Sequence, residues 1–548
     1  MRKTAVTTAG PVGHTGAMAS ESRWPLWVSL LIVLAVFTLR LPNVVQPMGP
    51  DQGVYTTIGW GLQSGLALYR DLWEQKPPGI YLTYLLGFVL FGSRTSSYFW
   101  MDYLAAALAV LFVFDIGRRL VTLRFGAVAA ALAAIGTLPA ARHGYGGFLE
   151  RSVTETFVIP LAAAAAWCAV MAFRSTRDRW SFAAGVFIGV AAVYKQTALI
   201  YWPALAVWTW FVADAPRARR FASYAMAGLV IAPCLAFAWL WAEGVLGDAW
   251  IALVEYNLAY LAIGDHGFLY SVDRFAHEVW RRMKTDEVWA FGSLSAFVAV
   301  LAWRRRSTSA GQAALLGIAW LGAALTATLA NGPRFFTTYF MPSLVPLSLL
   351  SAWLIHQTLA LGRREKAVAV LLLVVFTGAM LARSGSATRF VDATSWDTRY
   401  LFGHTTRQEY LDRFRSRATK AFSAADNDRL ADYIRTRTEP DDRIFVFGMT
   451  AGTYFTSRRL PASRFLWAYP AVSNMVANRP EFRVETLAAE LARTSPRYIV
   501  LQRHNGDSFS GWRAAEAFEA PPLAALISSS YRLETTIGDF VLYRKDDL

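Results

Sequence analysis

Residues 48–81 read MGPDQGVYTTIGWGLQSGLALYRDLWEQKPPGIY, a stretch that gathers Asp51, Asp71, Glu74 and Lys76 among aromatics and glycines. It is too polar to span a bilayer, so its charges have to be explained by what they do beside one. A carboxylate at a membrane surface is a general-base candidate, because partial burial raises its pKa towards a useful range. That is one reading of Asp51. The other is structural: between Pro50 and Gly53 it is placed to cap a short helix starting near Gln52. Lys76 directly precedes Pro77-Pro78, whose rings stiffen the backbone and fix where the ammonium points. At headgroup depth such an ammonium suits a phosphate, with snorkelling towards lipid as the plainer alternative. Asp71 follows Tyr69 and Arg70 and is expected to pair with a nearby base.

Three further stretches carry candidates. RHGYGGFLERSVTE (142–155) supplies Arg142, His143, Glu150, Arg151 and Glu155. Glu155 falls about one turn inside the next apolar run, where a carboxylate is costly and functional by default. Glu150 reads as a solvated or helix-start charge. YKQT (194–197) puts Lys195 and Gln196 at the end of an apolar run, within reach of an anionic headgroup. NGPRFFTTYF (331–340) does the same with Arg334, and offers the Tyr339 hydroxyl as a donor. Asp51 and Glu155 are thus the candidate catalytic acids, and Lys76, Lys195 and Arg334 the candidate phosphate ligands. Tyr55, Asp71, Arg142, Gln196 and Tyr339 are candidate substrate contacts. No glycine-rich phosphate loop and no dinucleotide fingerprint occurs, so a nucleotide donor is disfavoured and a donor would arrive through the bilayer.

The elements that position these residues are read from hydropathy and charge. The 548 residues are 55% hydrophobic and only 17% charged, with a mean hydropathy of +0.31. Apolar runs near 24–41, 97–117, 124–141, 152–173, 180–194, 198–213, 221–241, 288–303, 312–330, 336–358 and 367–383 predict an α-helical integral membrane protein of about eleven spans. The net charge of +15 raises the question of a nucleic-acid partner. Its distribution answers no: the basic excess sits in short loops, at Arg118/Arg119/Arg124, Arg174/Arg177/Arg179, Arg217/Arg219/Arg220, Arg304/Arg305/Arg306 and Arg363/Arg364/Lys366. All five fall on the side of the amino terminus, the pattern of a cytoplasmic (inner) membrane protein. Residues 1–23 are then a cytoplasmic segment, the run from Trp24 an uncleaved first span, and 24–383 the membrane domain, with a first outer loop at 42–96. The 79–92 stretch is too short to span comfortably and would invert every later loop. It is expected to lie in the interface or re-enter, with Tyr81 and Tyr84 at headgroup depth. Cys168 and Cys234 lie in apolar runs and read as core residues.

The tail, 384–548, changes character. RLADYIRTRT (429–438) has helical periodicity, DDRIFVFG (441–448) reads as turn then strand, LAAELART (487–494) and RYIVLQ (497–502) as helix then strand, and YRLETTIGDFVLYRK (531–545) as a hairpin. A small extracytoplasmic α/β domain is expected. Its Trp467, Tyr469 and Trp512 are either core aromatics or a glycan-binding surface.

The acidic residue after the first span, followed by GLALYRDLWEQKPPGIYL…FG, resembles the GT-C glycosyltransferases, and within them the protein O-mannosyltransferase and aminoarabinose-transferase superfamily. The "TE" at 154–155, "KQ" at 195–196 and RFFTTYFMPSLVPLSLL (334–350) add to it. The resemblance implies a membrane transferase that takes a sugar from a polyprenyl-phosphate carrier on the outer face, with inversion. Carried over by position, Asp51 would be the catalytic base, Lys76 a ligand of the lipid phosphate, Glu155 a second acidic site residue, and Lys195 and Arg334 phosphate-side cations. The acceptor would be an envelope glycan, glycolipid or protein. Two departures stand out: Gln52 where relatives often carry a second acid, and Thr338 where many carry His. The first weakens any metal held by paired acids. A divalent ion nevertheless stays open, because carboxylates near a phosphate are able to hold one. A lipid-linked-sugar transporter or flippase, a polymer ligase, and a scaffold are the competing readings.

Overall fold

The computed structural model describes residues 26–139, 151–175, 177–262, 267–302, 304, 306–415, 422–467, 471, 476, 478–503 and 520–546. Among them, seven helices are long and apolar enough to cross a membrane: Trp27–Val45, Ser96–Leu120, Thr154–Ser175, Ala215–Ala242, Ser309–Leu329, Thr337–Leu359 and Arg363–Ser384. Shorter helices, Leu123–Gly136, Asp178–Ala192, Tyr201–Val212 and Glu287–Leu301, fill the other expected spans. The chain is a multi-pass α-helical membrane protein. Helices are what a bilayer permits, since each backbone polar group there has to be satisfied within its own segment. Side-chain caps mark several starts: Thr122 accepts from Phe125 N (3.1 Å), Asp214 from Arg217 N (2.9 Å) and Thr308 from Gly311 N (3.0 Å).

Packing in lipid relies on close approach rather than on hydrophobic drive. At Gly185 a Cβ would lie 1.8 Å from the Ala225 carbonyl oxygen, so only glycine lets the Asp178–Ala192 and Ala215–Leu229 helices touch. The basic loops meet as their alternation requires. Arg174 donates to the Arg119 carbonyl (2.7 Å), and Arg220 pairs with Asp178. Three of the five basic loops thereby lie at one end of the bundle.

The Gly79–Phe91 helix corrects one expectation. Tyr81 and Tyr84 are buried within the protein rather than facing headgroups: Tyr81 donates to Glu74, and Tyr84 to the Ser152 carbonyl (3.0 Å). The helix turns Leu82, Leu86, Val89 and Leu90 outward instead. Its phenols find fixed acceptors inside the protein, which satisfies them without the interface.

The tail forms the expected α/β unit. Strands β1 (Ile444–Phe447), β2 (Tyr498–Gln502), β3 (Tyr531–Ile537) and β4 (Phe540–Lys545) make one sheet in the order β1-β2-β4-β3. β1 and β2 are parallel, joined by a crossover that contains the Val484–Thr494 helix, while the β3–β4 hairpin adds antiparallel strands. β1 and β2 are wholly buried, as their unbroken apolar character demands. This unit shares one continuous hydrophobic core with the membrane helices. At the seam, a Cβ on Gly53 would lie 2.6 Å from Gly452 N, and Thr57 donates to the Ala451 carbonyl (2.8 Å). Phe455 stacks on Phe88 at 5.4 Å, and Arg479 grips Glu255 of the long loop with contacts of 3.0 and 2.6 Å. Trp467 packs partly buried against this core; Tyr469 and Trp512 lie outside the described residues.

Candidate active site

The segment carrying Lys76 is fixed from several directions. Tyr69 donates to the Lys76 carbonyl (2.9 Å), Trp73 N to the Arg464 carbonyl (2.9 Å), Asn257 to the Gln75 carbonyl (2.8 Å), and Gly79 N to the Val193 carbonyl (2.9 Å). Tyr69 itself sits at φ 67°, a left-handed conformation that a non-glycine residue holds only where its surroundings impose it. A loop pinned by the tail, the long outer loop and the membrane bundle leaves its lysine little freedom.

The Lys76 ammonium lies 3.6 Å from Glu74 Oε1, 4.0 Å from Asp51 Oδ2 and 5.0 Å from the centre of the Tyr55 ring. Burial opposes its charge, but Glu74 and Asp51 outweigh that and hold its pKa well above the ordinary lysine value. Asp51 is not the helix cap. The helix runs Pro50–Gln63, and the free Gly49 N–H donates to Gln52 Oε1 (2.8 Å), so capping falls to Gln52 and leaves the Asp51 carboxylate available. Asp51 stands in the first turn, where the helix dipole favours a negative charge, and its side chain is half exposed. The buried Tyr55 hydroxyl donates to it at 3.3 Å. Burial, then the charges of Asp51 and Glu74, push that phenol's pKa up, so it remains a donor.

A second cluster lies within electrostatic reach of the first. Glu155, in the first turn of Thr154–Ser175, is buried and paired with Lys195, and it also accepts from Thr154 Oγ1 (2.8 Å). The Lys195 ammonium sits 3.7 Å over the Tyr339 ring. These three line a small cavity with Asn331 and Thr328. Arg334 is buried 3.4 Å over the Tyr260 ring, and its Nη2 has no hydrogen-bond partner among the described residues. A buried guanidinium nitrogen without an acceptor is costly unless an anion completes it.

The structure therefore brings Asp51, Tyr55, Lys76, Glu155, Lys195 and Tyr339 into two neighbouring clusters. It does not bring in Asp71, which closes its own turn by accepting from Ala67 N (2.8 Å) and pairing with Arg70 (3.3 Å). Gln196 is exposed beside the cluster, and Arg142 lies outside the described residues. Sequence reasoning gave Glu74 no role, yet it is buried and binds the Lys76 ammonium, the Lys76 N–H (3.1 Å) and the Tyr81 hydroxyl. Its place two residues before a proline-locked lysine was the available signal. Gln52 was noted only as a departure. It is fully buried and its amide donates to the Arg151 carbonyl (2.6 Å), while Arg151 reaches back to the Asn43 carbonyl. Among the described residues no three His, Cys, Asp or Glu side chains converge as a metal site.

Residues 75–241 match the family described as dolichyl-phosphate-mannose-protein mannosyltransferase, a stretch that includes Lys76, Glu155 and Lys195. The fold is similar to that of ArnT from Cupriavidus metallidurans bound to undecaprenyl phosphate. The TM-score is 0.60 at 15% identity, over 95% of this chain and 98% of that one. The fold is that of a GT-C glycosyltransferase. The apo state of the same ArnT superposes with a TM-score of 0.58 at 17% identity, over 94% of this chain and 97% of that one. The Archaeoglobus fulgidus oligosaccharyltransferase tethered with an acceptor peptide gives 0.51 at 14% identity, over 96% of this chain and 74% of that one. Among curated proteins no sequence relative emerges. The similarity to ArnT spans almost the whole chain.

Proposed function

We propose that this chain is a glycosyltransferase that moves a sugar from a polyprenyl-phosphate donor to a cell-envelope glycan, lipid or protein acceptor. The reaction takes place on the outer face of the cytoplasmic membrane, opposite the basic loops, and inverts the anomeric carbon. The observation that carries the reading is the 4.0 Å approach of Asp51 to Lys76, at the junction of membrane helices and tail. A half-exposed carboxylate next to a fixed ammonium is the pair that sugar transfer from a lipid phosphate asks for. The similarity to a fold that holds undecaprenyl phosphate supports the donor class.

Asp51 accepts the proton of the acceptor hydroxyl or amine as that atom bonds to the anomeric carbon. The bond from that carbon to the phosphate oxygen breaks at the same time, and the donor's phosphodiester leaves as a monoester. Charge grows on the phosphate oxygens, and Lys76 and the incompletely bonded Arg334 stabilise it, each by about 3 kcal/mol in a water-poor site. Glu155 neutralises Lys195 and steadies it over the Tyr339 ring, so this lysine meets the phosphate as half of an ion pair. No nucleotide enters the scheme, and no step is routed through a metal ion.

Asp51→Asn tests it. The variant should still bind undecaprenyl phosphate while transfer from a polyprenyl-phosphate sugar falls about 10²–10⁴-fold. Turnover retained at the wild-type rate discards the base. Binding without turnover in the wild type points to a transporter instead.

A further inference from the structure

An open cleft lies between the segment Val45–Pro50 and the tail, and Pro50 in its lining is the chain neighbour of Asp51. Nothing in the donor chemistry uses it. Asn427, Thr450, Thr453 and Thr456 line one part of it and Met48, Leu411, Phe422 and Met449 another, and the Asn427 amide has no side-chain hydrogen bond among the described residues. Thr450 and Thr453 face each other at a weak 3.4 Å, leaving both hydroxyls with unused capacity. Charge is cancelled within the wall: Arg407 holds Asp428 with two bonds of 2.8 and 2.6 Å. The Tyr400 ring is kept flat by stacking on Tyr410 at 4.3 Å.

From this lining we infer that the cleft binds the acceptor, and that the acceptor presents a neutral saccharide there. Hydroxyls and a free amide beside apolar side chains suit a saccharide, whose hydroxyls and C–H faces alternate. A paired rather than a bare arginine does not select for a phosphate or an acidic polymer. An ordered aromatic ring offers the apolar face on which a sugar's C–H groups pack. The inference rests on the reading of Asp51 as the base, since Pro50 in the cleft wall leads directly into that residue. It adds the substrate class on the acceptor side.

The test uses the full-length chain in detergent and a panel of neutral methyl glycosides, hexose and pentose, in pyranose and furanose forms. Binding is read by saturation-transfer NMR, and undecaprenyl phosphate binding is titrated in parallel. At least one glycoside should bind. Asn427→Ala, and separately Thr456→Trp, which fills the cleft from its exposed rim, should each weaken it about tenfold. Undecaprenyl phosphate affinity should stay within about twofold of wild type. The proposal falls if no glycoside binds, if neither variant changes binding, or if a serine- and threonine-rich peptide binds instead and Thr456→Trp blocks it. Failure of the donor reading shows separately, as undecaprenyl phosphate that does not bind or as turnover unaffected by Asp51→Asn.

Discussion

Two lysines pair with three acids in this protein, and their surroundings differ. Lys195 has one carboxylate, Glu155, and both are largely withdrawn from water, with side-chain exposures of 18% and 5%. Lys76 has two carboxylates, one buried (Glu74, 3%) and one open (Asp51, 50%). The first arrangement is balanced and closed; the second carries a net negative charge and an accessible oxygen. A closed pair has no carboxylate free to act as a base, since its acid is tied to its lysine. The open cluster has a base that can take a proton while its lysine stays held by Glu74. The two neighbouring sites therefore divide the labour of holding charge and using it.

Breaking the closed pair should produce the largest effect on folding. Lys195→Met leaves Glu155 buried and uncompensated, and should cost about 3–5 kcal/mol of stability. The double variant Lys195→Met, Glu155→Gln should recover most of that, because the stranded charge is gone. Thermal unfolding in detergent measures both. A double variant no more stable than the single one would show that the pair is not the closed unit described here.

Breaking the open cluster should cost less stability, because Glu74 keeps its bonds from Tyr81 and the Lys76 N–H, and should remove turnover instead. Lys76→Met keeps the length of the stem and loses the ammonium, so transfer should fall about 10²–10³-fold. Affinity for undecaprenyl phosphate should weaken with it, measured on the same preparation. Normal transfer by this variant would reassign the lysine to lipid snorkelling.

Sharpening the contrast further, Gln52 tells why the base is free. It is fully buried, accepting from Gly49 N at 2.8 Å and donating to the Arg151 carbonyl at 2.6 Å. A glutamate there could keep the first bond but would set a carboxylate against a carbonyl in place of the second. Gln52→Glu should therefore destabilise the protein by about 1–3 kcal/mol. It should also lower turnover, because the helix that presents Asp51 loses its tie to Arg151. Thermal unfolding and transfer rate together check this. Unchanged stability would mean the Arg151 carbonyl finds another donor.

Much of this was readable in the amino-acid order, and the reason is periodicity. Apolar runs and arginine-rich loops gave the helices and their common end, and the 441–448 and 531–545 segments gave a strand and a hairpin where β1, β3 and β4 stand. Lys76 was readable because two prolines follow it. What escaped was decided by tertiary contact. Asp51 looked like a cap because no local rule says that a glutamine three residues from Gly49 will do the capping. Tyr81 and Tyr84 looked interfacial because their acceptors, Glu74 and the Ser152 carbonyl, are placed by other parts of the chain. The pairing of Glu155 with Lys195 joins two residues forty positions apart, a distance over which hydropathy carries no information.

Glu74 gives the mildest change and the finest resolution. Its carboxylate raises the Lys76 pKa against the opposing effect of burial, so the ammonium stays charged beyond the ordinary lysine value of 10.5. A lysine whose pKa is raised in the folded state keeps its charge, and the stability that goes with it, at every lower pH. Both are lost only as pH climbs through the raised value. Glu74→Gln removes the foremost charge that raises it, leaving burial and the more distant Asp51. The ammonium then deprotonates at lower pH, and the alkaline limb of kcat/KM should move down the pH scale. Turnover near neutrality should fall only about tenfold, because Gln at this position can still accept from Tyr81 and from the Lys76 N–H. Glu74 is thus a positioning residue, acting through Lys76. If the alkaline limb stays in place while activity drops, Glu74 shapes the loop without governing the lysine's charge, and the open cluster reduces to Asp51 and Lys76 alone.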